Sequence, residues 1–247
     1  MQYRFCFLFC LLALILGETQ MYSVFARAPA TAKIVFASTR DGNSEIYIMN
    51  PDGSKPVNLT RHPSRDLAPA WSPTGEHIAF NSDRDGTRDV YIMDANGKNV
   101  RKMFRRLAYR EFPVWSPDGK KLVYTNAADW GIYVGTINSQ QEERITSANF
   151  LGGWPVWAPD SSEVAFISTE GPWAYSLKVV NLETRKEKIL MPKEEIGKFF
   201  DPDWSPDGTR IAFYWSEKGI YVIDKNGRSL KRLISSASRP SWSPLGD

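Results

Sequence analysis

Cysteine and histidine are scarce in this sequence, and their scarcity restricts the chemistry open to it. The chain of 247 residues contains 2 cysteines and 2 histidines. Cys6 and Cys10 both lie in the first apolar segment, so everything after it lacks a thiol. That excludes a disulfide framework, a cysteine nucleophile and a thiolate metal site from the rest of the chain. His62 and His77 belong to no G-x-S-x-G or H-E-x-x-H motif.

A long hydrophobic run is also missing. Phe5 to Leu16 is continuously apolar but shorter than the roughly 20 residues that span a bilayer. Because Arg4 precedes it, this run is typical of a secretory signal peptide. Val24-Phe25-Ala26 predicts cleavage after Ala26, with cleavage after Ala32 as the runner-up and an uncleaved anchor as a further alternative.

The domain organisation follows from that interpretation. We expect a signal peptide over 1–26, a short N-terminal segment over 27–32 and one domain over 33–247. The product would be exported, to the periplasm or outside the cell, with no spanning segment after cleavage. A net charge of +3 and a pI near 8.8 are too weak to indicate nucleic-acid binding, and we expect none.

A Trp-Ser-Pro-Asp-Gly unit, or a close variant of it, recurs about every 40–45 residues, which is the mark of a repeat architecture. Proline presets the backbone at the second turn position, and glycine accepts the positive φ that follows. A structural turn is therefore favoured over a catalytic or ligand role for the Ser and Asp. The tryptophans are Trp71, Trp115, Trp157, Trp204 and Trp242, and the prolines are Pro73, Pro117, Pro159, Pro206 and Pro244.

Each unit contains four short strands. An Ile-Ala-Phe run follows the turn, and then comes an Ile-Tyr-Val-Met-Asp run, both rich in β-branched and aromatic residues. A more polar strand ends the unit. Four strands in about 40–45 residues is the size of one propeller blade. The tyrosines of the third strand are Tyr47, Tyr91, Tyr133 and Tyr221.

The blade count depends on the two ends of the repeat. The first unit lacks a Trp strand. The last unit, from Arg239 to Asp247, consists of a Trp strand and its turn. The sequence therefore predicts an all-β propeller of five four-stranded antiparallel blades. The C-terminal Trp strand would pair into the N-terminal blade and remove an open edge. A six-bladed or open arrangement is the alternative if the chain is a fragment.

Ser38 to Asn50 and Ser82 to Asp94 follow the pattern S-x-R-D-G-x-x-x-[IV]-Y-[IV]-M-[DN]. With the Trp units, this pattern resembles the WD-like propeller repeats of TolB and its relatives. The resemblance implies a β-propeller, an exported location and a scaffold in the cell envelope that binds other proteins, including a peptidoglycan-associated lipoprotein. TolB-type proteins carry an α/β domain before a six-bladed propeller. In this chain the signal segment leads almost directly into the first strand, so we expect a stand-alone propeller.

Function is expected on one face of the propeller, which we call the loop face. It carries the segments between blades and the loops between second and third strands, which vary from blade to blade. Arg, Tyr and Trp are enriched at protein-binding hot spots. The predicted partner surface consists of Arg65, Arg106, Tyr109, Arg110, Trp130, Trp154, Trp173 and Phe200. Alternatively, Trp154 and Phe200 pack between blades and the arginines pair with nearby carboxylates.

Catalysis has little support, so we expect a monomeric protein-binding scaffold without cofactor or metal. The alternative is a carbohydrate-binding or glycan-hydrolysing propeller, because that hydrolysis needs two acids at a set separation. The oxygen-rich loops at 41–43 and 83–86 lack the full twelve-residue calcium loop. The acid candidates for the alternative are Asp66, Glu111, Asp201 and Asp203.

Overall fold

The computed structural model describes residues 33–106, 108–147, 151–169, 175–194 and 198–243. These ranges contain strands, turns and bends, and no helix. None of the described segments is therefore a helix that could cross a bilayer. The strands form five antiparallel sheets that follow one another along the chain. The all-β fold class is confirmed.

The strands group into five blades. Blade 1 contains β1 (Ile34–Ser38), β2 (Glu45–Met49) and β3 (Val57–Asn58). Blade 2 contains β4 (Asp66–Trp71), β5 (His77–Ser82), β6 (Asp89–Asp94) and β7 (Arg101–Lys102). Blade 3 contains β8 (Arg110–Trp115), β9 (Lys121–Asn126), β10 (Gly131–Thr136) and β11 (Glu142–Arg144). Blade 4 contains β12 (Leu151–Trp157), β13 (Glu163–Thr169), β14 (Tyr175–Asn181) and β15 (Glu187–Glu194). Blade 5 contains β16 (Phe199–Trp204), β17 (Arg210–Trp215), β18 (Gly219–Asp224) and β19 (Lys231–Ile234).

Each blade is a meander in which consecutive strands pair, so strand order in the sheet follows the chain. The middle strands are buried on both faces, and β5 shows this along Ile78, Ala79 and Phe80. Burial on both faces explains why their sequences are continuous apolar runs rather than alternating ones. The hydrophobic clusters lie between neighbouring blades, as where Trp115 joins the cluster of Ala79 and Ile92.

The repeated turn is held by its own serine. The amide of Lys121 donates to Ser116 Oγ over 2.9 Å, and this hydroxyl donates to Asp118 over 2.6 Å. The same bonds recur in blade 5 between Arg210, Ser205 and Asp207. Within these turns, Ser and Asp close the hairpin between the first two strands of a blade.

The repeated tryptophan joins one blade to the next. Trp115 Nε1 donates to the carbonyl of Ala70 over 3.1 Å, and Trp157 Nε1 donates to that of Val114 over 3.0 Å. Each acceptor is the residue directly before the tryptophan of the preceding blade. A buried indole N–H and a strand carbonyl are thus satisfied together at the blade interface.

Among the described residues, no strand pairing joins blade 1 to blade 5. No described strand of blade 1 packs extensively on blade 5, and none pairs with β1 on the side away from β2. The amide of Trp242 donates to Asp203 Oδ2 over 2.7 Å, and the Arg210 guanidinium lies 5.0 Å from its ring centre. The Trp242 segment therefore lies on blade 5. The described residues do not confirm the predicted pairing of this segment with blade 1. Pro244 lies outside them.

Candidate functional site

Aromatic side chains from blades 4 and 5 meet on the loop face, and Trp130 of blade 3 is joined to them through its backbone. The rings of Trp154 and Phe200, from β12 and β16, lie 5.3 Å apart in an edge-on contact. Phe200 also contacts Tyr175 at 6.1 Å and stacks on Tyr214 at 6.2 Å. The carbonyl of Trp130 accepts a hydrogen bond from the amide that opens the same part of β12. We call this set the aromatic patch: Trp130, Trp154, Tyr175, Phe200 and Tyr214.

The aromatic patch is accessible to solvent although its side chains are large and largely apolar. Trp130 is 47% exposed and Trp154 is 40% exposed, and both have positive φ. Bulky side chains seldom adopt positive φ, so these are costly conformations that the surrounding structure must impose. Of the predicted partner surface, the structure thus brings together the rings of Trp154 and Phe200, and Trp130 is bonded to β12 through its carbonyl. Trp173 lies outside the described residues.

A β-bulge in the innermost strand explains how Trp154 becomes exposed. Pairing between the first two strands shifts register between Gly153 and Val156, and the same shift occurs in blades 2, 3 and 5. A bulge adds one residue to one strand and redirects its side chain. The residue three before each Trp has positive φ: Ala68 (48°), Phe112 (55°), Trp154 (52°), Asp201 (48°) and Arg239 (56°).

Phe112 is a site residue that sequence reasoning missed. It is 46% exposed and occupies the position in blade 3 that Trp154 occupies in blade 4. The sequence does carry a signal for the bulge that exposes Phe112, because a proline stands two residues before the Trp in every copy of the repeat. A proline there removes a ladder donor and is compatible with a bulge rather than a regular central strand.

The predicted arginines have different environments. Arg65 is exposed, and its Nε lies 3.0 Å from Asp83 Oδ2. Arg106 is exposed, while its carbonyl accepts a bond from Arg110. Tyr109 is also exposed and lies under the Arg88 guanidinium at 5.7 Å. Arg65, Arg106 and Tyr109 come from the segments before blades 2 and 3, apart from the aromatic patch.

Arg110 is not on the surface, and its place in the predicted partner surface is corrected. Its side chain is 0% exposed, with Nη1 2.9 Å from Asp89 and Nη2 2.7 Å from Glu142. Its guanidinium also lies 4.5 Å from the Phe104 ring centre. Three groups from neighbouring strands therefore surround this cation, and it cannot contact a partner.

The acids around Arg110 respond to burial differently. Burial raises the pKa of Asp89 above its ordinary value, although the charge of Arg110 opposes that rise. For Glu142 burial also acts upward, but hydrogen bonds from Arg110 and Tyr124 outweigh it, and the pKa is lowered. The buried cation thus keeps Glu142 ionised and offsets the desolvation of Asp89.

Three of the four acids considered for a glycosidase site, all except Asp201, are engaged in structural bonds. Asp66 is fully buried and accepts from Arg84 Nη2 at 3.2 Å, and Glu111 accepts from Arg88 at 2.5 Å. Asp203 accepts the Trp242 amide, and burial raises its pKa. These three carboxylates are therefore bound within or between blades.

The Asp-Gly loops are closed by tyrosine hydroxyls. Tyr91 donates to Asp85 Oδ2 over 2.5 Å, and Tyr133 donates to Asp129 over 2.8 Å. Tyr47 donates to Asp41 in the same way. Within the described ranges, no three His, Cys, Asp or Glu side chains form a group that could hold a metal ion.

Proteins of related sequence share the repeat. A family model described as the TolB beta propeller domain matches residues 19–194. The Tol-Pal system protein TolB of Geobacter sulfurreducens is 49% identical over 49 residues, which is 20% of this chain and 11% of that protein. This similarity extends over one repeat.

Solved structures show the same architecture. TolB from Acinetobacter baumannii superposes with a TM-score of 0.68 at 20% identity, covering 85% of this chain and 54% of that one. A puromycin-hydrolyzing peptidase from Mycobacterium tuberculosis superposes with a TM-score of 0.70 at 18% identity, covering 87% of this chain and 38% of that one. The chain thus spans about half of the Acinetobacter protein. At these identities the likeness establishes the fold alone.

Proposed function

Because this chain belongs to the TolB β-propeller domain family, we propose that it is a non-catalytic scaffold that binds another protein through its loop face. We further propose that it acts in the cell envelope after export. The relatives named for the Tol-Pal system support a protein-binding role. The peptidase neighbour resembles this chain in fold over 38% of its own length, and that likeness carries no catalytic residue to this chain.

The exposed aromatic patch carries the proposal. Monomeric proteins seldom expose contiguous apolar surface without a use for it, and buried aromatic anchors dominate binding energy at protein interfaces. Trp130 and Trp154 offer large rigid surfaces on neighbouring blades. Because the positive φ of Trp154 recurs at the same position in every copy of the repeat, it is the exposure of the indole and not its backbone conformation that supports a binding role.

The charge around the face indicates what the partner is like. Arg65 and Arg106 are exposed beside the segments leading into blades 2 and 3, at a distance along the ring from the aromatic patch. A polypeptide that places apolar side chains on the patch and carboxylates near these arginines would match both regions. Steering by the arginines would mainly raise the association rate.

The test begins with crosslinking mass spectrometry on the exported protein, to identify a partner and locate its contacts. Capture of that partner is then compared between the parent and Trp130→Ala/Trp154→Ala. We expect at least about a tenfold loss of affinity, since each hot-spot truncation costs on the order of 2 kcal/mol. Lys98→Glu, in the Asn-Gly turn on the opposite face, is the matched control and should bind like the parent.

Arg106→Glu tests the charged part separately. We expect slower association that depends on salt, with the far-UV circular dichroism unchanged because Arg106 is exposed. Crosslinks that map to the turn face, or full capture by the Trp130→Ala/Trp154→Ala protein, would refute this placement. Hydrolysis of a glycan panel that is lost in Asp66→Asn would refute the non-catalytic role.

Export is tested on its own. N-terminal sequencing of the protein recovered from the envelope or medium should begin at Arg27, following cleavage after Ala26. A chain that keeps its first residues and stays in the cytoplasm would contradict this part of the proposal and leave the binding face untouched.

A further inference from the structure

The loops that follow β1 and β5 hold an arginine in the same way. Both loops have the sequence Ser-x-Arg-Asp-Gly. In blade 1, Arg40 Nε donates to Ser38 Oγ over 3.0 Å. In blade 2, Arg84 Nε donates to Ser82 Oγ over 2.9 Å. The serine hydroxyl therefore fixes the direction of the guanidinium in each loop.

Two aromatic rings support each of these guanidinium groups. In blade 1, the central carbon lies 5.2 Å from the ring centre of Phe36 and 4.7 Å from that of Tyr47. In blade 2, the corresponding distances from Arg84 are 5.3 Å to Phe80 and 4.9 Å to Tyr91. The two rings make an angle of 27° in blade 1 and 33° in blade 2. Aromatic faces attract a cation, so the rings hold both arginines in equivalent positions.

Only the blade 2 arginine is paired with a carboxylate of the described residues. Arg84 Nη2 lies 3.2 Å from each oxygen of Asp66, whose side chain is fully buried. Asp66 begins β4, the innermost strand of blade 2, five residues before the tryptophan of that strand. Among the described residues, Arg40 forms no ion pair, and its two Nη atoms have no acceptor. The residue five before Trp242 is Ala237, so the C-terminal segment carries no carboxylate at the corresponding position.

The acid next to Arg40 is engaged elsewhere. Asp41 Oδ2 accepts the Tyr47 hydroxyl, and it accepts the Asn58 amide over 3.1 Å. The equivalent Asp85 makes the same tyrosine bond in blade 2, where the arginine still holds a second carboxylate. An acid at this position is therefore compatible with an anion on the arginine beside it.

We propose that Arg40 is a binding site for a carboxylate carried by a partner protein or by a small molecule. Arg40 is exposed on the loop face, so a ligand can reach it from solution. Blade 2 shows how a carboxylate is bound, since both oxygens approach Nη2 while Nε stays on the serine. A guanidinium that is already held in position loses less conformational freedom on binding than a free arginine side chain. The site lies in blade 1, whereas the aromatic patch belongs to blades 3 to 5, and it does not depend on that patch.

Sodium acetate is the probe that tests the site, because it offers the carboxylate alone. The Nε–H signals of Arg40 and Arg84 are followed by NMR in the full chain during titration with acetate, and with sodium chloride at equal ionic strength. We expect the Arg40 signal to shift and saturate, with half-saturation on the order of 10–100 mM for one exposed charge-assisted pair. The Arg84 signal should stay in place because Asp66 occupies that site. Arg40→Gln should abolish the response, and Arg61→Gln, at an exposed neighbour, is the matched control that should keep it.

Three results of this titration would overturn the proposal. The Arg40 signal would stay in place in acetate, or move equally in chloride, or respond to phosphate and not to acetate. The last result would show that the site does not select a carboxylate.

Blade 2 provides a positive control. Asp66→Ala removes the carboxylate from Arg84, so the Arg84 signal should then respond to acetate as the Arg40 signal does in the parent. Acetate should also raise the urea midpoint of this variant relative to chloride. A response of Arg84 in the variant without one of Arg40 in the parent would likewise contradict the proposal. If Asp66→Ala does not fold, the titration of the parent decides alone.

Capture experiments identify the source of the carboxylate. With the partner found by crosslinking, Arg40→Gln should reduce capture severalfold, and Arg61→Gln should not, where the carboxylate belongs to that partner. Equal capture by both variants, with the acetate response intact in the parent, would assign the site to a small carboxylate. The acetate titration needs no partner, so failure of the binding-face proposal would leave its result unaffected.

Discussion

At the scale of single residues, the least expected feature is a cation enclosed between blades. Arg110 begins β8, yet its partners come from β6 and β11, so three strands supply one ionic cluster. A buried charge is tolerated because each of its three guanidinium nitrogens donates to an acceptor. Asp89, with its raised pKa, relies on this cation.

Replacing Arg110 should therefore damage stability rather than binding. Arg110→Met leaves the buried Asp89 with Lys102 alone as a cation, 3.3 Å from Oδ2, and we expect a loss of about 3 kcal/mol in the free energy of unfolding in urea. Arg106→Met, on an exposed neighbour, should change it by less than about 0.5 kcal/mol. Adding Asp89→Asn to Arg110→Met should restore part of the loss. Equal stability of the two single variants would contradict the role of the cluster.

A turn aspartate should confer a pH-dependent contribution. Hydrogen bonds from Ser205 and Thr209 lower the pKa of Asp207 from 3.8 to about 2. Because the folded-state pKa is depressed, this stabilisation is present above the unfolded pKa and is lost as pH falls from about 4 to about 2. Asp207→Asn should cost about 0.5–1 kcal/mol at pH 7, given its solvent exposure.

The stability difference between Asp207→Asn and the parent should shrink on going from pH 5 to pH 2.5 in urea titrations. Glu183→Gln, an exposed carboxyl in the β14–β15 turn, serves as the control for general charge effects. A difference that stays constant over this range would contradict the assigned bonds.

At the scale of strands and turns, the indole bonds between blades make a measurable contribution. Trp115→Phe removes the N–H that reaches Ala70 and leaves a strand carbonyl unpaired. Trp204→Phe removes an N–H that has no described acceptor. Both lose similar ring area, so we expect Trp115→Phe to be less stable than Trp204→Phe by about 1–3 kcal/mol. Equal urea midpoints for the two variants would show that the bond is energetically neutral.

The strands and turns were predictable because their signals are local. A Ser-Pro-Asp-Gly turn between apolar runs specifies a hairpin within a few residues, and its repetition specified the blade. The bulges were missed although their signal was local too, since a proline two residues before each Trp argues against a regular strand. The burial of Arg110 could not be predicted from the sequence, because Asp89 and Glu142 approach it from strands that are far apart along the chain.

At the scale of the whole molecule, closure of the ring is the prediction that the described residues do not confirm. Counting strands gave the correct blades, but strand count does not specify whether the last segment reaches the first sheet. That depends on the angle accumulated over the interfaces between successive blades, which no local pattern records. The aromatic patch was anticipated in part, since Trp130, Trp154 and Phe200 come from the predicted set.

The C-terminal segment should stabilise blade 5. A chain ending at Ser238 loses the contacts that Trp242 makes with Asp203 and Arg210. We expect a loss of about 1–3 kcal/mol from the apolar area exposed. A chain ending at Ser243 is the control, and a Ser238 truncation that melts like it would contradict this role.

The free edge of β1 also has a consequence for concentrated solutions. The edge lies at one end of the ring and the Trp242 segment at the other, so an exchange between copies would join unlike surfaces. Head-to-tail contacts of this kind build open filaments unless the rotation between successive copies closes the assembly into a ring. The mass measured by light scattering should therefore rise with concentration for the full chain and less for a chain ending at Ser238, which lacks the segment that would be exchanged.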